Sequence, residues 1–262
     1  MRNKISLWTI SAIVALSVLS LQSDASQGAM DELGLSPSAP LVVELFTSQS
    51  CSSCPPADQV LKELANNAPV IALGCHVTYW DHLNWKDTLS RKFCTDRQRS
   101  YAAYSGNNRV YTPQMVINGT TKFVGSNRAR AAEEITKITN TIAPIDIKQL
   151  FEKALSITLP QLNTKAERLT LWFFTYEGPQ TQNMKSGENR GRTIAYTNPV
   201  KHLKNIGTWN GEAKTLNIPL PPLQSGGYAI LAQVEGYGPI RAAGQLRLNE
   251  RSINATESSL PQ

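Results

Sequence analysis

The sequence predicts an α/β domain over residues 40–143, followed by an all-β sandwich-like domain over residues 144–250. A strand, a helix and a second strand follow one another within about 35 residues of Pro40, and such a βαβ unit is expected to be parallel and right-handed. The period of the hydrophobic pattern changes near Ala143-Pro144. Short alternating segments between Gly, Pro and Asn turns then predict the β-sandwich.

The α/β domain begins with LVVELF (41–46), a β-rich run with few polar residues. This composition is typical of a strand that is covered on both faces. The following ADQVLKELANN has its apolar residues on one helical face and ends before Pro69. PVIALGCHV (69–77) is the second buried strand.

An aromatic insertion, TYWDHLNWKDTLSRKF, separates this unit from a predicted helix through CTDRQRSYAAYSG. VYTPQMVING is a strand that leaves through Asn118-Gly119, a hairpin signal, and TKFVG is the returning strand. SNRARAAEEITKITNTI predicts a helix with Ser126 as its N-cap.

The second domain is predicted from strands that alternate or are bounded by turn residues. They are RLTLWFFTY, GRTIAYTN, AKTLNIPL, GYAILAQVEG and RAAGQLRL. Residues 251–262 are expected to form a flexible tail.

The N-terminal residues 1–25 have the pattern of a secretory signal peptide. Arg2 and Lys4 precede an uncharged apolar stretch, and small residues at Ser23 and Ala25 predict cleavage after Ala25. Residues 26–39 would then be a linker. An uncleaved membrane anchor is the alternative, although the apolar stretch is short for spanning a bilayer. We therefore expect a periplasmic or secreted protein without stable membrane insertion after cleavage.

Composition excludes some classes of function. The formal net charge is +6, with 41% hydrophobic and 18% charged residues. This is a globular composition. No run of Lys and Arg is dense enough to predict nucleic-acid binding.

The motif Cys51-Ser52-Ser53-Cys54 lies where a buried strand ends and a helix begins. Unpaired backbone N–H groups and the helix dipole favour negative charge there. A thiolate is the nucleophile of disulfide exchange, so Cys51 is predicted to have a lowered pKa and to react first. Cys54 is predicted to resolve the mixed disulfide.

Two further features suit this chemistry. Glu44 is an acid within the apolar strand that leads to the motif, where it could move the proton of Cys54; alternatively, it faces solvent at a sheet edge. Thr112-Pro113 precedes the hairpin strand. A cis proline there would leave the preceding backbone free to pair with an extended substrate.

The four cysteines allow more than one interpretation. The pairing Cys51–Cys54 and Cys75–Cys94 is the simplest of three, and a bond between Cys75 and Cys94 would be structural. Cys51–Cys54 could also be a structural disulfide, although so small a loop contributes little stability. A copper or other metal site would add His76 or His82 to the two cysteines.

Two segments outside the motif each allow two interpretations. Tyr79, Trp80 and Trp85 could line a substrate groove or form the small core of the insertion. Glu188, Arg190 and Arg192 in GENRGR could bind an anion or a partner, or belong to a solvated loop.

Residues 40–142 resemble the thioredoxin superfamily in the order strand, CxxC at a helix start, strand, helix, Thr-Pro, hairpin and helix. The motifs VVELFTSQSCSSCPPAD, HVTYWDHLNWKD, RQRSYA, VYTPQMVING, FVGS, GENRGRTIAY and GTWNGE are similar to one exported bacterial family, catalogued as domain of unknown function 1223. The resemblance implies an α/β thioredoxin-like fold for the first domain and does not establish a reaction. VELFTSQSCSSC is also similar to the corresponding segment of periplasmic thiol oxidases, with one extra residue between Glu44 and Cys51.

The sequence therefore predicts an exported thiol–disulfide oxidoreductase. Cys51, Cys54, Thr112, Pro113 and Glu44 are its candidate site residues, and cysteine-containing proteins or a redox partner protein are its expected partners. No cofactor is predicted. A non-enzymatic module that binds a metal or a protein partner is the alternative function.

Overall fold

The structure is a computed structural model that describes residues 39–67, 69–137, 142–151, 153–163 and 167–248. The predicted signal segment, nearly all of the linker and the C-terminal tail lie outside these ranges. The three helices of the described ranges are α1 (Pro55–Ala65), α2 (Lys92–Tyr104) and α3 (Arg128–Lys137). Their strands are β1 (Leu41–Thr47), β2 (Val70–His76), β3 (Gln114–Ile117), β4 (Thr121–Val124), β5 (Ala143–Pro144), β6 (Asp146–Leu150), β7 (Ala154–Leu159), β8 (Leu169–Tyr176), β9 (Gln180–Asn183), β10 (Thr193–Tyr196), β11 (Val200–Trp209), β12 (Lys214–Pro219), β13 (Gly227–Val234) and β14 (Ile240–Arg247).

The first four strands form one sheet in the order β2-β1-β3-β4. The predicted βαβ unit is confirmed, since β1 and β2 pair in parallel along their whole length. The hairpin is also confirmed, because Asn118 and Gly119 both have positive φ and join antiparallel β3 and β4. Two such residues are what a tight hairpin turn requires.

The other strands form three sheets. Five strands are arranged in the order β11-β8-β13-β14-β5, three in the order β12-β7-β6, and β9 pairs with β10 as a separate ribbon. The predicted boundary between residues 143 and 144 falls within β5, whose two residues pair with β14.

Side chains of β1 point alternately to the two faces of the sheet and pack in two different hydrophobic cores. Leu41, Val43 and Leu45 pack in a cluster with side chains of α1 and α3. Val42 lies in another cluster, which contains Phe174 of β8 and other residues of the five-stranded sheet. Successive side chains of a strand point to opposite faces, so one face of the four-stranded sheet packs against helices and the other largely against strands.

The five-stranded sheet is itself buried on both faces. Its second face packs on the three-stranded sheet through a core that includes Ile147, Ile157, Leu171 and Ile230. All the described ranges fall within one compact unit, Ser38–Gln262.

The predicted fold class, an α/β thioredoxin-like domain followed by an all-β sandwich-like domain, is wrong. Strand is the predominant secondary structure of the described residues, at 42%, and these ranges contain only three short helices alongside several sheets. The apolar pattern of β1 shows that both of its faces are buried, but not whether helices or strands cover them. This is the physical reason for the error.

None of the helices in the described ranges is both long and apolar enough to cross a membrane.

Candidate functional site

The two cysteines of the CxxC motif lie between β1 and α1 and are free thiols. The segment after Thr47 turns through a Cys51 N–H to Ser48 carbonyl hydrogen bond of 3.2 Å. Cys54 is the N-cap of α1, and Pro55 and Pro56 occupy the first helical positions, where no N–H is needed. Both cysteines are buried, at 1% and 0% exposure, whereas Ser52 and Ser53 are exposed.

The Thr112–Pro113 segment lies beside Cys51, although about 60 residues separate them in the chain. The Cys51 Sγ is 3.9 Å from the Thr112 carbonyl oxygen and 3.2 Å from the Ser53 Oγ. The Thr112–Pro113 peptide bond is cis. Trp80 Nε1 donates to Thr112 Oγ1 at 2.8 Å, which connects the aromatic insertion to this segment.

The two thiols differ strongly in acidity. A hydrogen bond from Cys54 lowers the pKa of Cys51 to about 6, against the opposing effect of burial and with help from Ser53. Burial raises the pKa of Cys54 far above its ordinary range, and the hydrogen bond to Cys51 and the negative charge of the Cys51 thiolate raise it further. Near neutral pH the pair therefore holds one thiolate, on Cys51, and one proton, on Cys54.

Asp58 lies one helical turn after Cys54, whose carbonyl accepts the Asp58 N–H at 3.1 Å. Its side chain is buried, and burial raises the pKa of Asp58 to about 7. Within the described ranges its Oδ2 has no hydrogen-bond partner. The charge of Asp58 raises the pKa of Cys54, which places the carboxyl within electrostatic range of that thiol.

His76 and Asp87 form a buried ion pair near Asp58. His76 Nδ1 is 2.7 Å from Asp87 Oδ2, and both residues are almost fully buried. Burial opposes the charge on His76, but Asp87 raises the pKa of that imidazole above its ordinary value. Its positive charge in turn acts to lower the pKa of Asp58, against burial.

Glu44 lies on the opposite side of β1 from the apolar residues that contact α1. Arg97 of α2 donates to its carboxylate through Nε at 2.5 Å and Nη2 at 3.0 Å. The Tyr101 hydroxyl donates a third hydrogen bond at 2.6 Å. The structure thus places Glu44 in a buried ion pair, and Asp58 is the carboxyl group that lies next to the cysteines.

A loop of the C-terminal part reaches the motif across more than 130 residues of sequence. Residues 184–192 connect β9 to β10 and contain the GENRGR segment. The Asn189 Nδ2 donates to the carbonyls of Gln49 and Cys51, and the Glu188 carboxylate accepts the Ser52 N–H. Arg190 and Arg192 are exposed. We call residues 184–192 the hairpin loop.

Cys75 and Cys94 are joined by a disulfide, which connects the end of β2 to the start of α2. Tyr79 and Trp80 pack against the cluster that contains this bond. Trp85 packs on a different cluster, with Met184 and Tyr196, and its Nε1 donates to Gln49 Oε1 at 2.8 Å.

The alternative metal site would use Cys51, Cys54 and His76. In the described part of the chain, no group of three or more His, Cys, Asp or Glu residues is arranged to hold a metal ion. His76 Nδ1 is engaged by Asp87 instead.

A family model described as "Protein of unknown function (DUF1223)" matches residues 42–234, well over half of the chain. The chain belongs to the DUF1223 family. The matched range contains the CxxC motif, Thr112-Pro113 and the hairpin loop. A comparison with curated proteins gives no match.

Two solved structures are similar to this DUF1223 protein. The crystal structure of protein AGR_C_4864 from Agrobacterium tumefaciens is 28% identical, with a TM-score of 0.68, and the match covers 80% of this chain and 95% of the other. HBP35 of Porphyromonas gingivalis is 13% identical, with a TM-score of 0.53, and the match covers 80% of this chain and 76% of the other. At that identity the likeness to HBP35 concerns the fold alone.

Two site residues of this DUF1223 protein were not predicted from its sequence. Asp58 had a local signal, since it lies four residues after Cys54 and positions i and i+4 share a helix face. Asn189 had no comparable signal, because its contact with Cys51 joins residues 138 apart.

Proposed function

We propose that this DUF1223 protein is a thiol–disulfide oxidoreductase, with Cys51 as the nucleophile and Cys54 as the resolving thiol. The observation that carries the proposal is the position of two free cysteines at the start of α1, with the Cys51 Sγ beside the Thr112 carbonyl oxygen. The opposite directions in which the two pKa values are displaced support it. Disulfide exchange needs a thiolate that attacks and a second thiol that keeps its proton until it is required.

In the first step the Cys51 thiolate attacks one sulfur of a substrate disulfide. A bond forms between Cys51 Sγ and that sulfur, the substrate S–S bond breaks, and the other substrate sulfur leaves as a thiolate. The attached substrate would lie against Thr112, whose carbonyl oxygen is 3.9 Å from the Cys51 Sγ. This contact supports the role of Thr112-Pro113 as the substrate platform.

In the second step Cys54 must lose its proton to attack Cys51. We assign the proton acceptor to Asp58, which is buried one turn away and has an oxygen without a partner in the described ranges. The Cys54 thiolate then forms a bond with Cys51 Sγ and releases the second substrate thiolate. The substrate gains two electrons, and the CxxC pair loses two. The reverse sequence oxidises a substrate dithiol.

Asp58→Asn is expected to slow the second step roughly 100-fold, the size of a typical general-base contribution, and to leave the first step nearly unchanged. An amide cannot accept the Cys54 proton. A chromogenic aromatic disulfide reports both steps, since one coloured thiolate leaves at each. Glu63→Gln is the matched control, because it makes the same chemical change later in α1. If Asp58→Asn releases both coloured thiolates at the wild-type rates, Asp58 is not the proton acceptor.

Stability provides a check that Asp58→Asn has not simply damaged the fold. The pKa of Asp58 is raised from 3.8 to about 7, so between these values the native state holds a proton that the unfolded state has lost. Wild-type stability should therefore fall as the pH rises through this window. Asp58→Asn should lack this fall and be more stable than the wild type above about pH 7.

The function itself is tested by the pH dependence of alkylation together with an exchange assay. With the pKa of Cys51 at about 6, its labelling by iodoacetamide should rise with a midpoint near pH 6, while Cys54 stays unlabelled in the native protein. Reduced protein should also exchange catalytically with a disulfide-bonded model protein when a small thiol is supplied, and alkylated protein should not. Equal labelling of both cysteines near neutral pH, or no exchange above the alkylated control, would refute the proposal.

The site chemistry also suggests the partners. Substrates would be cysteine-containing proteins, and a redox partner protein would restore the CxxC pair after each turnover. Export to the periplasm or the cell exterior suits this chemistry, because disulfides persist in oxidising compartments.

A further inference from the structure

The hairpin loop is a preformed unit. Met184 N–H donates to the Arg192 carbonyl at 2.9 Å, and Gly191 N–H donates to the Met184 carbonyl at 2.8 Å. The loop is thus closed at its base by its own backbone. Met184 is buried in a small cluster with Leu89, Ile194 and Tyr196, which anchors that base against the rest of the molecule.

The tip of this unit packs closely against the aromatic insertion. Gly187 has a φ of +75°, and a Cβ on it would lie 2.9 Å from the Cβ of Trp85. Only glycine suits both conditions. Ser186 Oγ donates to the Asn84 carbonyl at 2.7 Å. These contacts bring the next residues of the loop, Glu188 and Asn189, against the CxxC segment.

Asn189 is the buried residue of this tip, at 1% exposure. Its Nδ2 donates to the Gln49 carbonyl at 2.9 Å and to the Cys51 carbonyl at 3.0 Å. Arg192 Nη1 donates to its Oδ1 at 3.1 Å, which fixes the amide with its N–H groups towards the motif. Both hydrogens of the amide nitrogen are therefore used on the segment that carries Cys51.

The Cys51 carbonyl accepts two hydrogen bonds, because the Cys54 N–H also donates to it at 3.2 Å. A carbonyl oxygen next to a thiolate carries partial negative charge and disfavours the anion. Two donors on that oxygen offset part of its charge, so a thiolate at Cys51 meets less repulsion and its pKa is lower. The segment is also held through the Gln49 N–H, which donates to Asp87 Oδ2 at 2.8 Å.

We propose that Asn189 is a positioning residue of the thiol site, which holds the Gln49–Cys51 segment from the C-terminal part of the chain and thereby sets the reactivity of Cys51. This gives the hairpin loop a role in the chemistry of the motif. The inference deepens the proposed function, but its test requires no substrate disulfide.

The test is the midpoint of the pH profile for Cys51 alkylation. Asn189→Asp removes both donors and adds a negative charge, so the midpoint should rise by about one pH unit or more. Asn189→Leu removes the donors without adding charge and should raise the midpoint by a smaller amount. A change in the accessibility of Cys51 would alter the plateau rate of alkylation without changing the pH of its midpoint. The midpoint therefore distinguishes an effect on the pKa of Cys51 from a local loss of packing.

Asn183→Asp is the matched control, because it makes the same change at an exposed position at the end of β9, where Asn183 Oδ1 accepts from Thr193 Oγ1. Its midpoint should equal that of the wild type. Arg192→Met is the second variant. Arg192 is exposed, and its replacement removes the hydrogen bond that orients the Asn189 amide. This variant should shift the midpoint upwards and should fold even if the Asn189 variants do not.

An unchanged midpoint in folded Asn189→Asp and Asn189→Leu would overturn the proposal. If neither variant folds, an unchanged midpoint in Arg192→Met would do the same. A raised midpoint in a protein that shows no disulfide exchange would support the role of Asn189 while the proposed oxidoreductase activity failed.

Discussion

Cys51→Ser is expected to abolish the reaction with a chromogenic aromatic disulfide, whereas Cys54→Ser is expected to release one thiolate per protein and then stop. Serine at position 51 removes the only sulfur of the motif that is a thiolate near neutral pH, because the pKa of Cys54 is raised far above its ordinary range. Serine at position 54 leaves Cys51 able to attack but unable to be released. The trapped mixed disulfide should be visible by mass spectrometry.

The two variants serve as controls for each other, since they make the same atomic change one turn apart. Cys54→Ser keeps a donor, a hydroxyl, in place of the thiol whose hydrogen bond contributes most to lowering the pKa of Cys51. Its first phase should therefore stay close to the wild-type rate across the pH range in which Cys51 titrates, near pH 6. A complete first phase in Cys51→Ser would reverse the assignment of nucleophile and resolving thiol.

Burial of Cys51 makes the hairpin loop relevant to this reaction. A sulfur in a residue with 1% exposure cannot align with a protein disulfide without movement of its surroundings. The contacts that the loop makes with the motif are a few polar hydrogen bonds, from Asn189 and to Glu188, while its base is held by apolar packing.

Local patterns predicted the parts of the site that are close together in sequence. The apolar run of β1, the CxxC motif and the double proline at the start of α1 predicted a strand, a thiol pair and a helix at those positions. The Asn118-Gly119 signal predicted the hairpin next to Thr112-Pro113. In each case the physical cause lies within a few residues, such as strand alternation, helix capping or turn geometry.

Such local patterns do not predict which segments pack together over long distances in the sequence. β1 is buried on both faces, and an apolar sequence of this kind is equally suited to a second face covered by helices or by the five-stranded sheet. Glu44 illustrates the consequence, because its position in an apolar strand predicted burial or an edge but did not identify Arg97, 53 residues away, as its partner. Asn189 reaches Cys51 only because the β9–β10 ribbon is folded against the N-terminal part.

Arg97→Met is expected to lower the free energy of unfolding by about 3–5 kcal/mol, the cost of removing one partner from a buried ion pair. Arg97 has no exposed surface, and Glu44 is 1% exposed. Four aromatic rings surround the guanidinium, with centroids 5.0–5.6 Å from its central carbon: Tyr101, Phe174, Tyr237 and Trp172. Methionine would fill much of the space but leave the Glu44 carboxylate buried without its counter-charge.

The pair also joins parts of the structure that are distant in sequence. Arg97 Nη2 donates to Gln233 Oε1 of β13 at 3.1 Å, and Gln233 Nε2 donates to the Tyr101 hydroxyl at 3.0 Å. The strand that leads to the CxxC motif, helix α2 and the five-stranded sheet thus share one hydrogen-bond network. Loss of the guanidinium should weaken all three connections together.

Lys92→Met is the matched control, because it also replaces a cation of α2 by methionine but breaks an exposed pair with Asp96. Such pairs contribute about 0.3–0.5 kcal/mol. Urea unfolding at neutral pH should therefore separate the two variants by several kcal/mol. The double variant Glu44→Gln/Arg97→Met should recover part of the loss, because it removes the uncompensated charge. If Arg97→Met is no less stable than Lys92→Met, the Glu44–Arg97 pair does not hold β1 to the five-stranded sheet, and the position of the CxxC motif depends on apolar packing alone.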